Sequence, residues 1–247
     1  MKASFGASCS CPSLKSLSSK IGCIFCPSGS QNKYMRLDTK LEKKMIEVRK
    51  SLSGHANFKS IDSIILRFPQ FREGLRNIRS VFELYDEDAN GAIDREELNK
   101  CLQKLQLNLS EQEVDDLFQS CDIDRSQGIQ FNEFIVLLCL IYLLLEPSSS
   151  PNSTSKMGSP ELEATFDTII EAFLFLDKNG DGKLNKKDVL KALNEASPRE
   201  KSPARITSSR FKEMDWDNNG MVSFREFLFA LINWVGIDYD EETIVIE

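Results

Sequence analysis

Residues 86–97 read DEDANGAIDREE, and this stretch decides how the rest of the 247-residue chain is interpreted. Acidic or amide side chains occupy positions 1, 3 and 5, glycine follows at position 6, and a glutamate closes the stretch at position 12. In a tightly wound loop these alternate positions point inward, and glycine accepts the positive φ that the sharp turn needs. The hard cation Ca²⁺ prefers six to eight oxygen ligands, so the stretch predicts a Ca²⁺-binding loop.

Three further twelve-residue stretches carry the same pattern. They are DIDRSQGIQFNE at 122–133, DKNGDGKLNKKD at 177–188 and DWDNNGMVSFRE at 215–226. The first two loops start 36 residues apart and the last two 38 residues apart, whereas 55 residues separate the second start from the third. Amphipathic patterns flank every loop, which indicates a duplicated pair of helix–loop–helix units. Two facing loops are expected to form a short antiparallel bridge through the aliphatic residues at position 8, which are Ile93, Ile129, Leu184 and Val222.

The loop pattern defines the candidate metal ligands. Positions 1, 3, 5, 9 and 12 supply side-chain oxygens, directly or through water, and position 7 supplies a backbone carbonyl. In the first and fourth loops, which are complete, the predicted ligands are Asp86, Asp88, Asn90, Ala92, Asp94, Glu97, Asp215, Asp217, Asn219, Met221, Ser223 and Glu226. In the second and third loops they are Asp122, Asp124, Ser126, Gly128, Gln130, Glu133, Asp177, Asn179, Asp181, Lys183, Asn185 and Asp188.

Two of the loops depart from the full pattern. The third loop ends in Asp188, which is one methylene shorter than glutamate, so it is expected to bind through one oxygen and to favour six-coordinate Mg²⁺ or weaker Ca²⁺ binding. The second loop places Gln127 where glycine belongs, and a left-handed conformation there costs roughly 1–2 kcal/mol. Because Ser126 and Gln130 are also neutral, the second loop is predicted to be the weakest of the four.

The four loops and their flanking helices resemble the EF-hand superfamily, specifically the calmodulin-like calcium-binding proteins of plants, over about residues 70–240. The flanking segments that carry the resemblance include FELYD at 82–86 and EFIVLL at 133–138. The resemblance implies an all-α fold with two EF-hand lobes, and a calcium sensor without enzymatic activity of its own. The chain differs from calmodulin in its N-terminal extension and in the linker between its lobes.

Composition excludes several classes of function. The chain holds 31 basic and 38 acidic residues, a formal net charge of −7, which argues against a nucleic-acid binder that relies on phosphate neutralisation. His55 is the only histidine, so His-ligated zinc sites and Ser–His or Cys–His nucleophiles are excluded. We therefore expect neither an enzyme nor a nucleic-acid partner.

Changes of composition divide the chain into six segments. They are a disordered basic tail rich in Ser and Cys at 1–37, a helical extension at 38–70, the first EF-hand lobe at 71–145, a flexible linker at 146–160, the second EF-hand lobe at 161–237 and an acidic tail at 238–247. The extension is expected to contain two helices packed on the first lobe. Ser110 with Glu113, and Ser159 before Pro160, predict two helix N-termini.

The basic tail is the segment whose function is least defined. Its cysteines, Cys9, Cys11, Cys23 and Cys26, allow three interpretations: palmitoylation with peripheral membrane contact, a four-thiolate zinc site, or incidental reduced thiols. A plastid or mitochondrial transit segment is a fourth. Lys2 follows the first Met, so the glycine that myristoylation requires is missing. The expected location is the cytoplasm, with membrane association or plastid targeting as alternatives.

The longest apolar run is FIVLLCLIYLLL at 134–145, and its 12 residues are too few to span a bilayer. As a helix it is apolar on every side, so either its own chain or another molecule must cover it. The expected cover is the segment Ile61–Phe68, and the alternative is a partner protein or a membrane.

Together these features predict a Ca²⁺ sensor that changes conformation, exposes a hydrophobic groove and binds a helix or peptide of a target protein. Two alternatives stay open. One is a calcium buffer that binds the ion without opening, and the other is a dedicated EF-hand regulatory subunit of an enzyme.

Overall fold

The computed structural model describes residues 35–52, 58, 60–104, 109–145, 157, 159–196 and 204–236. Most of the basic tail, most of the linker and the acidic C-terminal tail lie outside these residues, together with the predictions made for them. The helices are α1 (Met35–Ser51), α2 (Ile61–Ile65), α3 (Phe68–Arg76), α4 (Ile78–Tyr85), α5 (Arg95–Lys104), α6 (Glu111–Cys121), α7 (Phe131–Leu144), α8 (Pro160–Leu176), α9 (Lys186–Ala196), α10 (Ala204–Met214) and α11 (Phe224–Val235). The strands are β1 (Ala92–Ile93), β2 (Ile129–Gln130), β3 (Leu184–Asn185) and β4 (Met221–Val222).

Local sequence explains where several helices begin and end. Ser110 and Glu113 form the predicted capping box at the start of α6, each side chain accepting a hydrogen bond from the other's backbone amide. Ser159 caps α8, and Pro160 lies in its first turn, also as predicted. Gly236 ends α11 in the left-handed conformation, with φ 68°.

The loops pair through the strands that position 8 predicted. β1 pairs antiparallel with β2, placing Ile93 opposite Ile129, and β3 pairs with β4, placing Leu184 opposite Val222. All four side chains are fully buried. Each bridge therefore joins the two loops of one lobe and anchors them in the apolar core.

Helix α7 is buried along nearly its whole length, as its apolar sequence requires. Three elements supply cover from outside the first lobe. They are α8 and α11 of the second lobe and α1, which buries Leu37, Leu41 and Met45 on its inner face. Among the described helices none combines the length and apolar composition that a membrane span requires.

The expected cover, Ile61–Phe68, was wrong. Ile65 and Leu66 are 52% and 77% exposed, and α2 packs against α9 in the second lobe. The physical reason lies in helix length. The apolar residues of α1 repeat every third or fourth position over several turns and form a continuous stripe, whereas α2 has five residues, of which Ile64 is buried and Ile65 is exposed.

The two EF-hand lobes contact each other directly. Helix α3 packs along α8 and also contacts α11. The hydroxyl of Tyr142 on α7 donates to Oδ1 of Asp167 on α8 at 2.7 Å, and Arg72 on α3 donates to the carbonyl of Val235 at the end of α11. Contacts that α3 and α7 make with α8 and α11 thus hold the two lobes together.

Helix α1 bridges the lobes instead of packing on the first lobe alone. Its Lys40 pairs with Glu113 of the first lobe at 3.0 Å, and its Asp38 pairs with Arg225 of the second lobe at 3.5 Å. The sequence-based expectation was incomplete, because pairings between residues so far apart in the chain leave no periodic signal in the sequence.

Candidate metal centres

Each loop is held at both ends by the helices that flank it. The backbone amide of the first aspartate in every loop bonds to the carbonyl four residues earlier, so this residue ends the entering helix. Position 9 begins the exit helix: Oδ1 of Asp94 accepts from the amide of Glu97, Oδ1 of Asn185 from that of Asp188, and the hydroxyl of Ser223 from that of Glu226. The spacing between first and twelfth positions is thereby fixed.

The structure brings carboxylates together in three of the four loops. Each of these groups has ligand oxygens that all lie within 4.8 Å of one another. The groups are Asp86, Asp88 and Glu97 in the first loop, Asp122, Asp124 and Glu133 in the second, and Asp215, Asp217 and Glu226 in the fourth. Among the described residues, the acids of the third loop do not form such a group.

The glutamate at position 12 closes its loop from one side. Glu97 accepts from the amides of Glu87 and Asp94, both at 2.8 Å. Glu133 and Glu226 accept from the corresponding amides at positions 2 and 9 of their own loops. Each glutamate also lies in the first turn of its exit helix, so the way its carboxylate is held determines how that helix meets the loop.

A hydrogen bond from position 6 fixes the first aspartate. The amides of Gly91, Gln127, Gly182 and Gly220 donate to Oδ2 of Asp86, Asp122, Asp177 and Asp215 respectively, over 3.0–3.2 Å. All four position-6 residues have positive φ, between 68° and 84°. In each loop one oxygen of the first ligand is therefore oriented by the backbone.

The burial of these carboxylates fits a bound cation. Oδ1 of Asp215 is buried and has no hydrogen-bond partner among the described residues. Burial raises the pKa of Glu133 and of Glu226 to about 7, although backbone amides stabilise both charged forms. Buried carboxylates are costly unless a positive charge compensates them, and a divalent cation bound to oxygen ligands supplies that charge. The first, second and fourth loops thus fit Ca²⁺.

The second loop keeps its ligands together despite its departures from the pattern. Gln127 adopts φ 68°, the strained conformation that the sequence predicted. Its amide still donates to Asp122, as glycine does in the other loops. Two neutral side chains that were predicted as ligands form hydrogen bonds within the loop: Ser126 donates to the carbonyl of Gly128, and Gln130 donates to Oδ2 of Asp124.

The third loop differs from the other three in what surrounds it. Asp188 is buried and accepts from the amide of Asn185 at 3.0 Å. Asp177, its first ligand, is 1% exposed and pairs with Arg49 of α1, with Nη1 3.2 Å from Oδ2. In this arrangement the loop holds a guanidinium beside its first ligand, and the residues do not fit a divalent cation.

The predicted backbone ligands at position 7 adjoin the strands. Ala92 and Met221 are the first residues of β1 and β4, and Gly128 and Lys183 directly precede β2 and β3.

Arg49 is the residue that sequence reasoning missed. It lies 128 positions before Asp177, and its only local signal was a basic residue in the last turn of a helix, which the helix dipole alone explains.

Two coupled pairs of helix–loop–helix units with buried carboxylates at ligand spacing define a calcium-binding protein built on a duplicated metal-binding hand. A family model described as the EF-hand domain pair matches residues 75–138 and 166–232. The chain therefore belongs to the EF-hand family, and it is a calmodulin-like calcium-binding protein.

The relatives agree with this assignment. The chain is 59% identical over 218 residues to the "Probable calcium-binding protein CML22" of Arabidopsis thaliana, covering 87% of this chain and 95% of that protein. It is 50% identical over 205 residues to the "Probable calcium-binding protein CML21" of the same plant, covering 83% and 88%. The "Calcium-dependent protein kinase 11" of Oryza sativa subsp. japonica is 26% identical over 195 residues, but only 29% of the kinase is covered.

Proposed function

We propose that this protein is a Ca²⁺ sensor that regulates a target protein through an apolar surface on α7 and α11. The observation that carries the proposal is the position of α1. Helix α1, which lies outside the EF-hand pairs, covers α7, the most apolar of the described helices. A helix of another protein with the same stripe of large apolar residues therefore has a surface to occupy once α1 leaves.

The residues that would hold Ca²⁺ are those gathered in the first, second and fourth loops. Ca²⁺, when bound, supplies the positive charge that compensates their buried carboxylates. Glu133 and Glu226 lie in the first turns of α7 and α11. A change in how either carboxylate is held is therefore transmitted to a helix of the apolar surface.

The proposal includes neither an enzymatic activity nor a nucleic-acid partner. The relatives of high identity are named as calcium-binding proteins, and the chain has net charge −7. A helical or peptide segment of a protein is the expected ligand. We further propose a cytoplasmic location with peripheral membrane contact through the basic tail, which a comparison of membrane and soluble fractions with and without residues 1–34 tests.

A calcium buffer is the second candidate, and one observation favours it. Few large apolar side chains are exposed among the described residues, chiefly Ile65, Leu66 and Leu84. A buffer binds the ion without exposing further apolar side chains. A dedicated regulatory subunit of an enzyme is a third role, in which α7 would be permanently bound by the catalytic chain.

Dye fluorescence and hydrodynamic size, measured with and without Ca²⁺, separate sensor from buffer. For a sensor, Ca²⁺ raises the fluorescence of a hydrophobic dye and the apparent size, and the double variant Glu97→Gln, Glu226→Gln loses most of both responses. The matched control is Glu96→Gln, because Glu96 is exposed and is not a predicted ligand. Ca²⁺ binding by calorimetry without any dye response would identify a buffer.

A further inference from the structure

Helix α1 lies directly on the third loop. A Cβ placed on Gly182 would lie 2.8 Å from the backbone oxygen of Glu42, so only glycine allows the helix to come this close. The side chain of Glu42 also pairs with Lys183, with 2.9 Å between Oε1 and Nζ. At the same position of the first and fourth loops, Gly91 and Gly220 have nothing within 4 Å of a Cβ. The contact with α1 therefore distinguishes the third loop from these two.

Arg49 brings a positive charge to the ligand side of the same loop. Its Nη1 donates to the carbonyl of Asp177 at 2.5 Å and lies 3.2 Å from Oδ2. Asp177 is almost completely buried while Arg49 is 37% exposed, so water screens this pair less than a pair between two surface groups. A Cβ on Gly180 would lie 3.4 Å from Nη1, so the guanidinium is seated close beside this glycine. Arg49 is thus accommodated by the loop as well as paired with it.

We propose that the third loop is an intramolecular binding site for α1, in which the guanidinium of Arg49 pairs with the carboxylate of Asp177 in place of a divalent cation. A guanidinium and Ca²⁺ compete for the same carboxylate, so the loop takes up Ca²⁺ only as the C-terminal end of α1 leaves. The coupling is reciprocal: by whatever factor docked α1 weakens Ca²⁺ binding here, bound Ca²⁺ weakens the docking of α1. Because α1 also covers α7, the third loop controls access to the apolar surface.

This inference extends the proposed sensor role but depends only on Ca²⁺ binding. Its test is a site-specific titration without any target protein, so its failure and that of the sensor proposal can be told apart. The reporter is the amide of Gly182, which donates to Asp177 and whose NMR resonance responds to a charge at that carboxylate. Gly91 reports on the first loop in the same spectrum.

The experiment is a Ca²⁺ titration of the full chain and of Arg49→Gln, followed by NMR. The variant should lower the Ca²⁺ midpoint of the Gly182 resonance about tenfold, which corresponds to about 1.4 kcal/mol. The Gly91 midpoint should move less than about twofold in the same titration. Lys43→Gln, which removes one exposed positive charge from the same helix, should leave both midpoints unchanged. An unchanged Gly182 midpoint in Arg49→Gln would overturn the proposal.

A second measurement covers the case in which Arg49→Gln does not fold. Hydrogen exchange of the unmodified chain is followed for the amides of residues 42–49 at Ca²⁺ concentrations below and above the Gly182 midpoint. Saturation of the third loop should accelerate their exchange at least about fivefold, while the amides of α6 stay protected. Equal protection of residues 42–49 on both sides of the midpoint would contradict the competition between Arg49 and Ca²⁺.

Discussion

At the scale of single residues, the third loop differs from the other three at position 3, where Asn179 replaces an aspartate, and at position 12, where Asp188 is one methylene shorter than glutamate. Asp188 is buried at position 12, where the other loops have glutamate, and its loop lacks the three-carboxylate group found in the first, second and fourth loops. A shorter side chain reaches less far across the loop and offers one oxygen more readily than two. The identity of this residue therefore bears on how many oxygens the site provides and on which cation it prefers.

The variant Asp188→Glu tests this role. We expect Ca²⁺ binding at the third loop to strengthen by about tenfold and Mg²⁺ competition to weaken, because a bidentate glutamate favours the larger coordination number of Ca²⁺. Calorimetry with Ca²⁺ in the presence and absence of Mg²⁺ measures both effects. Asp116→Glu adds the same methylene on α6, outside the loops, and should change neither. If Asp188→Glu changes neither Ca²⁺ binding nor Mg²⁺ competition, the length of this side chain does not determine the cation preference of the loop.

At the scale of elements, α1 is the helix on which the apolar surface depends. It buries Leu37, Leu41 and Met45, and each such side chain contributes roughly 1.5–3 kcal/mol when fully buried. Deletion of residues 1–52 should therefore uncover α7, so that the protein binds hydrophobic dye and self-associates without Ca²⁺. Deletion of residues 1–34, which leaves α1 intact, should keep it monomeric. A 1–52 deletion that stays monomeric and silent to the dye would show that α1 is not the cover.

The contact between α1 and α6 predicts a dependence on pH. Hydrogen bonds from Ser110 and the ammonium of Lys40 lower the pKa of Glu113 to about 2 from an ordinary value of 4.5. Because the folded state favours the charged form, the contribution to stability is present above about pH 4.5 and is lost as pH falls toward 2. Glu113 is 44% exposed, so solvent screening limits the effect to under about 1 kcal/mol.

The measurement is the free energy of unfolding between pH 6 and pH 3 for the unmodified chain and for Glu113→Gln. The variant should be less stable at pH 6, and the difference should shrink as pH falls, because glutamine has no charge to lose. Lys43→Gln serves as the control for altered surface charge on α1. A stability gap between Glu113→Gln and the unmodified chain that stays constant over this range would contradict the assigned pKa.

At the scale of the whole molecule, contacts between the EF-hand lobes are expected to couple their unfolding. Tyr142 is 4% exposed and its hydroxyl bonds Asp167 across the lobes at 2.7 Å. Tyr142→Phe should lower the free energy of unfolding by about 1 kcal/mol, because it removes one partly buried hydrogen bond and leaves an acceptor behind. It should also separate the urea transitions of the two lobes, followed by near-UV circular dichroism and by the fluorescence of Trp216 and Trp234, which both lie in the second lobe.

The control for this variant is Tyr85→Phe, which removes the hydroxyl of another buried tyrosine, one that lies within the first lobe. It should leave the two transitions coincident. Coincident transitions and unchanged stability in Tyr142→Phe would indicate that the lobes are coupled by other contacts.

The sequence by itself determined the features that are set by short spacings. They are the positive φ of the residue at position 6, the pairing of Ile93 with Ile129 and the capping box at Ser110. Each depends on residues within a loop or a turn of each other, or on the repetition of that pattern. Local backbone geometry and hydrogen bonding decide such features, so the all-α fold with paired EF-hands was predictable from residues alone.

Only the tertiary structure decided which elements cover the apolar helix and what lies beside each loop. The sequence predicted Ile61–Phe68 as the cover, but α1, α8 and α11 supply it. Arg49 contacts Asp177 across 128 positions of chain. The hydrophobic effect is non-directional, so several apolar segments could cover the helix equally well as judged from their sequences. Shape and close packing in the folded chain select one of them, and that selection leaves no period in the sequence.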